Sequence, residues 1–146
     1  MALRKSTQTA KRVAAPAALD ASCAVPAYAE HTTVAGQFAA GDVIDMIPWP
    51  AGTLPVMLKA SVADLDSNGS PAVTLDFGIL SGQYGAELDD AGAARVCGTE
   101  FGDNLTTGQA GGAVDVAANL LLGLAVSNKD RSIGFKIEAA PATLIA

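Results

Sequence analysis

The sequence has little of what most catalytic chemistry requires. It holds one histidine, two cysteines and one tryptophan, and aromatics make up 5% of its 146 residues. Cys23 and Cys97 are too few for the disulfide framework of a small secreted domain, and neither sits in a C-x-x-C pair, so both read as reduced, small apolar residues. No apolar run approaches the ~20 residues of a membrane-spanning helix; AANLLLGLAV spans ten. A secretory signal is also a poor fit, because the apolar stretch after the basic start contains Pro16 and Asp20. Positive charge is scarce beyond residue 12. Arg4, Lys5, Lys11 and Arg12 give the first twelve residues +4, and the rest carry five Lys/Arg against fifteen Asp/Glu, or −10. Such a body repels nucleic acid, while a basic arm on it suits docking against something acidic. The blander reading of the arm is a solubilising, disordered terminus.

What is present favours strands. Half of the residues are hydrophobic, and 15 Gly and 7 Pro punctuate the chain into short elements. A chain of this length buries about 68–70% of its unfolded surface as one domain. With so few rings, Ala, Val, Leu and Ile must build that core. The fold class expected is all-β, a single β-sandwich over residues 31–146 with an extended N-terminal arm over 1–30. Ser, Thr, Ala and Pro dominate the arm, with a helical turn possible at Ala14–Asp20. Ordering such a segment costs about 1–2 kcal/mol per residue. The arm is therefore expected to lie against a partner or another subunit.

Strands are expected at Thr32–Phe38, at Asp42–Ile47 up to Pro48-Trp49-Pro50, and at Leu54–Ala63. The last of these forms a hairpin with Val73–Leu80 across Asp66-Ser67-Asn68-Gly69. A helical turn at Asp89–Val96 and a short strand at Arg95–Phe101 follow, then a loop at Thr106–Gly112. Val114–Leu122 suits strand or helix, and Ser132–Ala139 closes the chain as a strand after the turn Asn128–Arg131. Alternation assigns Val56, Leu58, Leu75, Phe77, Ile79, Ile133, Phe135 and Ile137 to the core, with Thr74 and Asp76 turned outward.

Candidate chemistry is sparse. Asp64-Leu65-Asp66-Ser67-Asn68-Gly69 matches the opening of a calcium loop, but the closing bidentate Glu is replaced by Leu75, so a plain turn is expected. His31 has no evident triad or metal partners. Glu87, Asp89 and Asp90 form an acidic cluster of the kind a glycosidase might use, and read instead as a solvated face. GQAGG at 108–112 opens no βαβ unit and reads as loop. Trp49 could stack a sugar, though its flanking prolines favour a plug at a strand corner. No catalytic, cofactor or metal residue is assigned, and none of these groups implies an enzyme.

Three stretches carry a resemblance: GDVIDMIPWPAG, then VADLDSNGSPAVTLDFGIL, then NKDRSIGFKIEAAPATL. Together they resemble the head decoration, or cement, proteins of tailed bacteriophages, over about half of the chain. The arm and residues 83–112 match nothing in that pattern. The resemblance implies a jelly-roll-like β-sandwich that forms a homodimer or homotrimer. It also implies binding to the major capsid protein on the outer surface of the virion, after assembly in the host cytoplasm. It implies no cofactor, nucleic acid or membrane. Arg4, Lys5, Lys11 and Arg12 are the candidate partner-binding residues. Two readings stand beside it: a carbohydrate-binding or adhesin-like β-sandwich, and another phage head or tail component.

Overall fold

Branched and aromatic residues make the three longest strands, and these form the centre of the larger sheet. The computed structural model describes residues 2–5, 26–34 and 38–144. In chain order the strands are β1 (Leu3–Lys5), β2 (Val43–Trp49), β3 (Lys59–Val62), β4 (Thr74–Leu80), β5 (Gly102–Leu105), β6 (Gly112–Asp115) and β7 (Arg131–Ala139). A 3-10 turn at Thr107–Gln109 precedes β6, and the short helix α1 (Ala118–Leu122) follows it. Five strands form one sheet in the order β1-β2-β7-β4-β5, and β3 pairs with β6 in a second. Only β1 runs parallel to its neighbour; the remaining pairs are antiparallel. The fold is thus an all-β sandwich of unequal sheets.

Its core lies between the sheets. Ile44, Leu75, Phe77, Ile133, Phe135 and Ile137 come from the large sheet, and Leu58, Leu65 and Leu121 close over them from the other side. Phe77 stacks on Phe135 at 4.5 Å between centroids and meets Phe101 edge-on at 5.4 Å. A few rings therefore suffice, because they touch one another.

The expected hairpin does not form. β3 pairs with β6, while β4 sits between β7 and β5, so Asp66–Gly69 is a corner between sheets rather than a two-strand turn. The cause is the Asp66 carboxylate, which accepts the N–H groups of Asn68, Ala72, Ala142 and Thr143. It draws the C-terminal segment onto the corner, where Asp66 and Leu144 form a bridge. The strand expected from Leu54 begins only at Lys59, because Pro55 and the turn after Pro50 keep residues 51–57 irregular. Val56 is consequently 70% exposed, not core, and Ile79 is only half-buried.

Asp76 was expected to face solvent and is buried. Residues 81–101 return along the β4 edge, with Gly98 N–H bonded to Ile79 O and Phe101 N–H to Phe77 O, and lay Arg95 and Cys97 over the outer face against Asp45, Ser132 and Gly134. A Cβ on Gly78 would collide with the Gly98 carbonyl, so glycine permits this approach. No helical turn forms at 89–96, and no regular strand at 95–101. There the Glu100 carboxylate takes the Ile79 N–H at 2.9 Å, a bond that a strand carbonyl would otherwise make.

Residues 32–34 have no regular structure, and 35–37 lie outside the described residues, as does the turn expected at 14–20. β2 continues through Pro48 to Trp49, pairing with β7. Among the described residues β1 pairs with β2 only as far as Asp45, so Pro48 meets no partner strand on that edge there. Val114–Leu122 resolves into the end of β6 and then α1.

Candidate interaction surface

Each proposed chemical group is occupied by the fold itself. Asp89 Oδ1 accepts the N–H groups of Ala91 and Ala93 at 2.9 and 2.8 Å, holding its own loop. The Lys129 ammonium, 2.9 Å from Asp90, holds that carboxyl below its ordinary range against partial desolvation, and Arg131 adds to the effect. These acids line a shallow cleft of about 660 Å³ with Tyr84 and Leu88, but they are not a free acid–base pair. Burial pushes the Cys97 thiol up to about 12, so it is inert as a nucleophile. Asp66 is desolvated, which raises its pKa, yet its backbone N–H donors more than offset this and hold it well below the carboxylate range. That carboxylate is a clasp, not a calcium ligand, and no metal-binding group of His, Cys, Asp and Glu occurs among the described residues. Trp49 is 5% exposed and its Nε1–H donates to Thr53 O at 2.9 Å. It plugs the corner, and its ring offers no platform for a sugar. His31 is half-buried in irregular chain.

The arm residues are only partly in view. Arg4 lies in β1 with its guanidinium 3.5 Å from the buried Asp42 carboxylate, so it is partly engaged within its own chain. The backbone of Lys5 also belongs to β1, while Lys11, Arg12 and Cys23 lie outside the described residues.

The surface feature that stands out is apolar, and alternation missed it. The irregular segment before β3 exposes Leu54, Val56 and Met57, the last at 72%. Helical spacing in α1 turns Leu121 into the core and Leu120 and Leu122 outward, with Leu122 77% exposed and Val126 close behind in sequence. Backbone bonds Gly52 N–H to Ser127 O and Val116 N–H to Leu58 O fix the two segments side by side. Between them runs a shallow groove of about 270 Å³ lined by Val56, Met57, Lys59, Asp115 and Ala118. The sequence signal was the ten-residue stretch AANLLLGLAV, too apolar for a solvent-facing helix end. Exposed apolar side chains grouped in this way make these two segments the candidate contact surface.

The described residues thus form an all-β sandwich whose acidic clusters are engaged within the fold and which exposes apolar side chains before β3 and on α1. Neither a protein-family model nor a curated protein matches the chain. Among solved structures, a chain in the capsid of Ralstonia phage GP4 is similar, with a TM-score of 0.75 and 32% identity over 99% of this chain and 90% of that one. The protein belongs to the same family as that phage capsid chain, which gives it a structural role in a virion.

Proposed function

We propose that the protein is a decoration, or cement, protein that binds the outer surface of a phage capsid and stabilises the lattice of the major capsid protein. The single observation that carries this reading is its 32% identity, across nearly its whole length, to a chain of a phage capsid. The exposed apolar face at Val56, Met57, Leu120 and Leu122 supports it by offering a dry contact. Residues 1–30 act as the arm and 31–146 as the body, and the first twelve residues, at +4, carry charge opposite to the −10 of the rest.

Such a protein works by area rather than by chemistry. A contact of about 1,600 Å² in total is enough for specific binding, and repetition around a closed lattice multiplies it through effective concentration. Bridging neighbouring subunits adds interface energy where the shell is strained.

The test is occupancy. Capsids lacking the protein are mixed with it, pelleted, and the bound copies counted against the major capsid protein. Saturable binding at a fixed ratio is expected. Capsids that pellet bare would overturn the reading.

A further inference from the structure

β1 is held by a small acceptor site that belongs to the body. The Ala2 N–H donates to Asp42 Oδ1 at 2.6 Å, and the Val43 N–H donates to Ala2 O at 2.9 Å. Leu3 packs against a cluster of Val43, Leu80 and Cys97 that is separate from the main core. Arg4 reaches Asp42 Oδ2, and the strand pairs Leu3 with Val43, Arg4 with Ile44 and Lys5 with Asp45. The notch therefore reads an extended peptide in which an apolar residue precedes a cation. This is strand addition at a sheet edge, where main-chain bonds bind and a pocket selects.

We propose that β1 is an exchangeable strand, and that the notch of Asp42, Val43, Leu80 and Cys97 receives residues 2–5 of a second copy of this chain in place of its own. Every atom that holds β1 lies at residue 42 or later, so the same bonds form whichever copy supplies the strand. The chain's own strand is favoured only by its tether. That tether is long: 32 residues separate Lys5 from Phe38, which is packed in the body's core, and at full extension they span roughly 110 Å. A short flexible tether gives an effective concentration of about millimolar, and lengthening it lowers that value. Copies crowded on a surface reach the same range, so exchange competes there at no cost in contacts. The joint is also unfinished within one copy. Arg4 Nε is buried and has no acceptor among the described residues. What changes on exchange is the surroundings of the joint, where the second body can bring that acceptor.

The proposal rests on the capsid reading only for the crowding, and its test is separate from capsid binding. In full-length chain carrying Cys23→Ser, Leu3→Cys places a thiol against the Val43–Leu80–Cys97 cluster. Isotopically heavy and light chains are refolded together, oxidised with diamide, and the disulfide to Cys97 is read by peptide mass spectrometry. Heavy–light linkages that rise with protein concentration toward half of the total are expected. Linkages confined to like-labelled chains at every concentration would overturn exchange; because burial slows the Cys97 thiol, a sample without any linkage is decided by native mass spectrometry. Native mass spectrometry of the otherwise unaltered heavy and light chains guards against a folding defect in that variant. Mixed oligomers that vanish with Leu3→Asp support exchange; monomers throughout, or oligomers indifferent to Leu3→Asp, refute it.

Discussion

The Arg95 guanidinium is fixed from three directions. Nε donates to Ser81 O at 2.7 Å, Nη1 to Asp45 Oδ2 at 2.6 Å and Nη2 to Ser132 Oγ at 2.6 Å. Both members of the ion pair are fully buried. Removing one partner strands the other, so Arg95→Met is expected to lower stability by about 3–5 kcal/mol. Urea unfolding checks this, and the double change with Asp45→Leu should recover most of the loss. Phe77→Ala, which removes the ring shared by Phe101 and Phe135, is expected to cost about 3–5 kcal/mol; a loss below about 1 would mean that the rings do not carry the core. Alternation made Phe77 and its neighbours legible from sequence, because a strand buried on one face writes its period into the chain. It could not show Asp45 and Arg95, which are 50 residues apart and meet only because residues 81–101 fold back over the sheet.

Among the elements, the corner at Asp66 decides the topology. Its turn residues were plain in the sequence, but turn chemistry says only that the chain bends, not which strands then pair. The pairing depends on Ala142 and Thr143, which bind the same carboxylate from 76 and 77 residues away. Because the folded pKa of Asp66 is depressed, its contribution is present in full above the unfolded value and drains away as pH falls below about 4. Asp66→Asn should therefore lower the Tm at pH 7, and the gap to the unaltered protein should narrow at pH 3. A gap that stayed constant with pH would show that the carboxylate's charge is not what holds the clasp.

For the whole molecule, the proposed role rests on what the fold leaves uncovered. The all-β class followed from short elements and frequent Gly and Pro. The docking face did not, because an irregular segment and a five-residue helix carry no period long enough to separate inside from outside. Met57→Asp and Leu122→Asp, at positions 72% and 77% exposed, should leave the Tm within about 1 °C while reducing capsid occupancy at least tenfold. Unchanged occupancy in both would move the contact elsewhere, to the arm first. Deleting residues 2–12 removes all four arm cations together with β1, and is expected to reduce occupancy as well; full occupancy would show that the arm does not hold the capsid.

The most direct measurement is cryo-electron microscopy of capsids lacking the protein after they are mixed with it. Regular density on the outer surface at lattice symmetry axes is expected, with the face of Met57 and Leu122 turned toward the major capsid protein. Bare capsids, or density confined to the tail vertex, would contradict the decoration role.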